Sequence, residues 1–536
     1  MAESQTDTTP RSGATSFTRS GFFRREIGLP AATLFAFCAI GLSLGGLLPY
    51  ATATGLFPGV NIFQFTLVAA GVALIFGVIY SSIGALVPHN GADYVLTSRV
   101  FGGGVGFAFS FAFIILLGLA AGAIVATMPR LILPGLLATL GSVQSITTTD
   151  LITSISQPQT AIILGTILVV VGFGASITPR RFIRWILGIG AVLTLVVWAW
   201  MAIALIGRTG AQFPPAWDAA MGVDNYVTRL SAATARGMQI NQDKQMANLA
   251  GLALALWIFF GSFSLVNAAG EMKKPGRDLP LSHMIATVIA GGLVIGVVFL
   301  VKRLVLPTWY SAESFLFLQG GEEQAMPWVF FYTSIFLKSP FFTTMLLITW
   351  LLGFITLLQT IFFYASRIIW AWGRDRLVPE ALAFIHPSWR SPLVAALVFA
   401  ILVQVGVIAA VQLPRLLLSR AYIFSLMALM IIPLLAVIVA AFTRRSWFET
   451  ASGMARWRIG KFRFISLFAL IGVGYLGVAI YLLASNRLGL TFLTWGEAAL
   501  MGGLFLAGLA WYFIRRAWLK REQINLDERF RILPGD

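Results

Sequence analysis

The chain has 536 residues, of which 58% are hydrophobic and 11% charged, and its mean hydropathy is +0.85. A soluble globular chain carries about 45–50% apolar and about 25% charged residues, so a string of soluble domains is excluded and an all-α polytopic membrane protein is indicated. The balance of 38 Lys and Arg against 21 Asp and Glu then reads as a record of orientation in the bilayer, with no nucleic-acid partner implied.

The first 24 residues, rich in Ser, Thr and Gly and without an apolar run, read as a disordered tail with no cleavable signal peptide. A crossing helix needs about 20 apolar residues. Twelve such runs follow, near 29–54, 60–87, 102–133, 159–178, 183–206, 249–270, 281–305, 341–371, 392–411, 420–442, 464–484 and 492–514. The first contains Ile40, Gly41, Ser43, Gly45, Gly46 and Pro49, a costly set for an unbroken helix. Close helix packing through Gly41 and Gly45 explains it; so does a break at mid-membrane, which is tolerable only beside a cavity or ligand.

After the second span comes Pro88-His-Asn-Gly-Ala-Asp93-Tyr94, running on to Arg99 and Gly102. A long loop at 207–248, predicted outside, separates the fifth and sixth spans, and a second at 306–340 follows the seventh. The sixth span carries Trp257, Phe260, Gly261, Ser262, Phe263, Ser264 and Asn267, so a Gly-Ser step recurs near mid-depth. If helices one to five (25–206) and six to ten (249–442) are inverted repeats, the two interruptions correspond, the best sequence pointer to a transport site. Half-helix N-termini can hold a carboxylate, and freed carbonyls an ammonium or Na⁺. Glu271-Met-Lys273-Lys-Pro-Gly-Arg ends the sixth span, and Ala365-Ser-Arg367 through Arg374-Asp375 to Pro379 ends the eighth. A loop at 443–463, helices eleven and twelve within 464–514, and a tail at 515–536 complete the chain.

With the N-terminus in the cytoplasm, 27 of the 38 Lys and Arg fall on inside segments, as an even number of spans with both ends inside requires. The expected location is the plasma (inner) membrane. The spans hold no Ser-His-Asp set, HExxH pair or acidic metal cluster, and Cys38 is the single cysteine. Neither an enzyme nor a cofactor is indicated.

Glu271 to Pro280, with Gly261 ten residues before it, resembles the sixth-helix signature of amino acid permeases in the amino acid–polyamine–organocation (APC) superfamily. The segments at 88–107 and 365–392 resemble the same family's loops after helices two and eight. The resemblance implies a five-plus-five inverted repeat of the LeuT-like APC fold with two added helices. It places substrate between helices one, three, six, eight and ten. It also implies that Trp257 gates the outer path, as in arginine/agmatine-type antiporters, with Phe260 and Phe263 packing the substrate side chain. Tyr94, Glu271, Lys273, Arg367, Arg374 and Asp375 would form the cytoplasmic gate.

The chain departs from that pattern in three places. Ser43 is flanked by leucines where the family has Gly-Ser-Gly. Phe263 stands where the antiporters carry a coupling carboxylate, and the fifth span has no mid-depth Lys. Na⁺ held by helix-one carbonyls with Thr356 and Thr360, proton coupling, and plain exchange all remain open. The expected function is a secondary carrier of amino acids or related amines, with a bulky neutral or aromatic amino acid preferred. The alternative is a non-transporting sensor or complex subunit on a permease scaffold, meeting a protein partner through the 207–248 loop.

Overall fold

The computed structural model describes residues 23–42, 48–144, 146–239, 244–319, 329–413, 420–484 and 495–533. Among these described residues, ten helices are long and apolar enough to cross a membrane. They are Ile62–Leu86 (span two), Gly103–Gly141 (three), Pro158–Ile177 (four), Arg180–Leu205 (five) and Pro275–Leu304 (seven). Pro340–Arg374 (eight), Leu393–Gln412 (nine), Ala421–Thr443 (ten), Phe464–Ala484 (eleven) and Ala498–Arg521 (twelve) complete the set. Large apolar side chains such as Ile163, Ile167, Val170, Ile189, Val192 and Val196 lie exposed along spans four and five, as the lipid-facing side of a membrane bundle requires.

The first and sixth of the twelve expected spans are absent from that set because neither is a continuous helix. Span one is built of Leu29–Ile40 and Leu48–Leu56. Gly41 ends the first piece in the left-handed conformation, with φ of 62°, which glycine adopts without a Cβ clash. Ser43, Gly45 and Gly46 lie outside the described residues. Span six starts as the helix Lys244–Leu252 and then runs as 3₁₀ turns over Ala255–Ile258, Phe260–Asn267 and Ala269–Glu271. The expected break is therefore a long stretch of tighter winding, which in a helical segment often marks a functional hinge.

Packing follows the repeat. Span one lies on span six, and span two on span seven. Span three packs on span nine, and its counterpart five places on, span eight, packs on span four. Span five packs on span eight, and its counterpart, span ten, on span three. Exchanging each span for the one five positions away thus maps these contacts onto one another, as two copies of one five-helix unit would require. Spans eleven and twelve lie outside this pattern. Span eleven rests on spans two and ten, and span twelve on span three.

One end of the bundle carries Arg99, Arg180, Arg367 and Arg374 and is called the basic end here. At the far end the 207–248 segment forms helices Phe213–Met221 and Asn225–Ala235, packed with Pro307–Leu318 and Val329–Leu337. Phe213, Trp217, Tyr226, Trp309 and Tyr332 form the core of this cap, with Trp217 and Trp309 at 4.6 Å and Tyr226 stacked on Trp309 at 4.9 Å. Thr54 of span one donates to Ser314 at 2.9 Å, tying the cap to the second piece of the broken helix.

Beside Ser314, Glu313 is buried with Arg229, whose Nε lies 3.3 Å from its carboxylate. Burial pushes the Glu313 carboxyl up to about 7 against the pull of Arg229. A carboxyl raised on folding contributes stability that is fully present below its ordinary pKa and is lost as pH rises through the raised value. The melting temperature of the protein in detergent should therefore fall as pH rises toward about 7, and Glu313→Gln should flatten that slope. Equal slopes in the two proteins would remove Glu313 from the explanation.

Candidate functional site

A cavity of about 230 Å³ lies where the two broken spans meet. Ala39, Ile40 and Thr52 come from span one, Tyr80 from span two and Phe113 to Thr127 from span three. Leu254 to Ser264 of span six, Leu357 to Tyr364 of span eight and Tyr422 to Met430 of span ten close it. No charged side chain lines it among the described residues.

The 3₁₀ winding explains its principal wall. In a 3₁₀ helix residues i and i+3 eclipse, so Trp257, Phe260 and Phe263 stand above one another. Trp257 stacks on Phe260 at 4.5 Å, Phe260 meets Phe263 edge-on at 5.5 Å, and Phe263 stacks on Tyr80 at 4.6 Å. An α-helix would turn such positions progressively away from each other.

The adjacent row is Gly261, Ser264 and Asn267. A Cβ on Gly261 would come within 1.7 Å of the Ala39 carbonyl oxygen, so only glycine lets spans one and six approach this closely. Ser264 lines the cavity, and Asn267 reaches Asp93. Ser262 is on the third row, buried, donating to the Phe259 carbonyl at 2.8 Å.

Two polar atoms at the cavity wall, Trp257 Nε1 and Ser264 Oγ, are buried without a hydrogen-bond partner among the described residues. Such groups cost free energy unless something fills the space. A ligand accepting from the indole would gain about 1 kcal/mol, so Trp257→Phe should weaken its affinity about fivefold. Binding measured by isothermal titration checks this, and an unchanged affinity would show that the indole N–H is not used.

Thr360 stands in the cavity wall and donates to the Leu357 carbonyl at 2.7 Å. Thr356 donates to the Gly353 carbonyl at 2.9 Å, and its methyl faces Gly190. Each hydroxyl proton is thus committed to its own helix, while each oxygen keeps lone-pair capacity.

The basic end is closed by buried ion pairs. Glu271, fully buried, accepts from Arg367 Nε at 3.0 Å, Asn90 Nδ2 at 3.2 Å and Arg180 Nη2 at 2.8 Å. Its backbone carbonyl accepts from the N–H groups of Glu26 and Ile27, each at 2.9 Å, while Lys273 N–H donates to the Ile27 carbonyl. Segments from five parts of the chain thus meet at one residue. The Lys273 side chain is exposed, so this residue joins the seam through its backbone.

A second lock lies beside the first. Arg99 grips Asp375 through two bonds of 2.7 and 2.8 Å, and Tyr94 donates to the same carboxylate at 2.6 Å. Two parallel bonds from one guanidinium fix position as well as charge. Arg374, half-buried, lies over Trp370 at 5.5 Å. Phe23, which the sequence places in the tail, packs against the same ring at 5.0 Å.

Arg99, Arg180 and Asp93 were legible in the sequence only as end-of-span charges; the fold makes the two arginines partners in the locks. Tyr475 of span eleven gave no signal at all. Its hydroxyl accepts from Leu256 N–H at 3.2 Å and donates to the Leu252 carbonyl at 2.8 Å. It thereby satisfies backbone groups released where the helix of span six ends.

A sequence model for a family described as "Amino acid permease" matches residues 27–505. No curated protein matches the chain.

Proposed function

The chain belongs to the amino acid permease family, and from that premise we propose that it carries a neutral amino acid across the plasma membrane by alternating access. The observation that supports the substrate class is the cavity: aromatic, about 230 Å³, and without a charged side chain among its described residues. A zwitterion suits such a site, because its carboxylate and ammonium can be met by backbone groups at the broken helices, leaving its side chain to the Trp257–Phe260–Phe263 stack. A bulky apolar or aromatic side chain fills that wall best, and an organic cation held over Trp257 comes second.

The basic end faces the cytoplasm, in keeping with the excess of Lys and Arg there. The Glu271 and Asp375 locks are the inner gate, and Trp257 is the outer one. Substrate shifts the balance between outward- and inward-open states by contacting one better than the other.

Uptake of labelled L-phenylalanine, L-leucine and L-arginine into proteoliposomes tests this reading. Saturable flux of phenylalanine and leucine above that of arginine is expected. Absence of saturable flux with all three would sink it, and preference for arginine would overturn the substrate class. A non-transporting role would show as a stable chain that binds a protein partner at fixed stoichiometry and moves nothing.

A further inference from the structure

Asp93 is a buried acid that neither lock uses. It is 2% exposed, and it lies between the substrate cavity and the two ion-pair locks. Each of the neighbouring carboxylates has its own guanidinium: Glu271 has Arg367 and Arg180, and Asp375 has Arg99. Asp93 makes no ion pair among the described residues. Its carboxylate is held by neutral donors instead, Tyr94 N–H at 2.7 Å on Oδ1, with Tyr364 OH at 2.9 Å and Asn267 Nδ2 at 3.1 Å on Oδ2.

Two of those donors connect it to the transport machinery. Tyr364 is part of the cavity wall. Asn267 belongs to the 3₁₀ segment of span six, and its carbonyl accepts from Gly91 N–H at 2.9 Å, joining span six to the loop before Asp93. Tyr80, which ends the aromatic stack, lines the same cavity.

We propose that Asp93 is a proton-binding site that couples occupancy of the cavity to the basic-end gate, making the carrier proton-linked. The proposal rests on the transport reading above for its coupling step, and on the geometry of the buried carboxylate for the site itself.

The chemistry balances without any further reactant. In the charged state both oxygens of Asp93 accept, and the Tyr364 hydroxyl proton points away from the cavity. A proton entering through the cavity binds one carboxyl oxygen, and the resulting O–H must donate. The Tyr364 oxygen can accept it, which turns the tyrosine's own proton toward the cavity and offers it to a substrate carboxylate. Release of the proton on the opposite side restores the first arrangement. Burial favours the neutral acid, since desolvation raises the Asp93 pKa above the ordinary carboxylate range against the pull of Asn267 and Tyr364.

The groups packed around Asp93 are tyrosines and arginines, with His89 four residues before it at the start of the same loop. Span two presents Tyr80, and span eight presents Tyr364 and, further on, Arg367 within its pair with Glu271. On its own helix Asp93 is followed by Tyr94 and Arg99, both held by Asp375. Gly103–Thr127 of span three contains no titratable residue. Span ten ends at Arg444, which donates to the Arg99 carbonyl at 2.9 Å.

Two measurements on the full chain test the proposal. An infrared pH titration of the substrate-free protein, carried out throughout in a Glu313→Gln background that removes the other raised carboxyl, should show a protonated-carboxyl band titrating above the usual carboxylate range. That band should be absent from Asp93→Asn, and in Tyr364→Phe it should persist with a midpoint moved to higher pH. In proteoliposomes, wild-type phenylalanine uptake should rise at least about threefold between about pH 7.5 and 5.5, and by less than about 1.5-fold in Asp93→Asn. A titrating band unchanged in Asp93→Asn would overturn the site. Loss of the band with an unaltered pH dependence of uptake would overturn the coupling. Loss of the band in a protein that transports nothing would leave the site standing and bring down the transport reading instead.

Discussion

Glu271→Gln is expected to destabilise the protein by about 3–5 kcal/mol, because it leaves Arg367 facing an uncharged partner in a buried place, while Arg180 keeps Glu26. Arg367 is 2% exposed, too deep for water to take over the lost charge. On the proposed function, the same change should also open the inner gate. The Glu271 carboxylate joins the loop after span two, the start of span five and the end of span eight, so losing its charge loosens all three from span six together, while the entry to span one stays on the backbone carbonyl. Two readouts separate these effects. Denaturant or thermal unfolding in detergent reports the stability loss. Labelling of a cysteine placed in the cavity, from the basic end, reports the gate, in a background where Cys38 has been replaced. Faster labelling of the Gln variant is expected, and equal labelling would mean that the Arg99–Asp375 lock closes the path alone. Arg367→Lys should not restore the wild type, since an ammonium cannot reproduce the planar guanidinium that lies over Phe363 at 3.3 Å.

Gly261→Val should have a comparable effect for a steric reason. A Cβ at that position would lie 1.7 Å from the Ala39 oxygen, which is backbone and cannot rotate away. Spans one and six must then separate, and the cavity between them loses its shape. Overpacking of this kind costs about 1–3 kcal/mol, and more where the backbone must move. Binding of phenylalanine should be lost in Gly261→Val, and Gly261→Ala should already weaken it at least about tenfold. Gly296, which has open space at its Cβ position on span seven, supplies the control: Gly296→Ala should bind as the wild type does. If Gly261→Ala bound normally, the close approach of the two spans would not be what shapes the site.

The fold was largely legible because a bilayer leaves few choices. Apolar runs of fixed length gave the twelve spans, and the glycines at 41 and 261 marked the two that are not continuous helices. The residues at 88–107, 271–280 and 365–392 carried the family, which the match over 27–505 bears out. The manner of the second break was not anticipated. The recurrence of aromatic residues at 257, 260 and 263 is a three-residue period, readable as 3₁₀ winding only if the helical period of 3.6 is given up. Tyr364, Asn267 and Asp93 lie in distant parts of the chain, and only the tertiary packing brings them within hydrogen-bond distance. Tyr475 carried no signal, because a tyrosine in a membrane span is ordinary until an unwound backbone is found beside it.

The account stands most directly on where the substrate sits. A structure of the full chain with phenylalanine bound should show the amino acid between the two broken spans. Its carboxylate and ammonium should be met by backbone groups there, and its ring should lie against Trp257, Phe260 and Phe263. Phenylalanine bound elsewhere, with this cavity unfilled while saturable uptake persists, would contradict it.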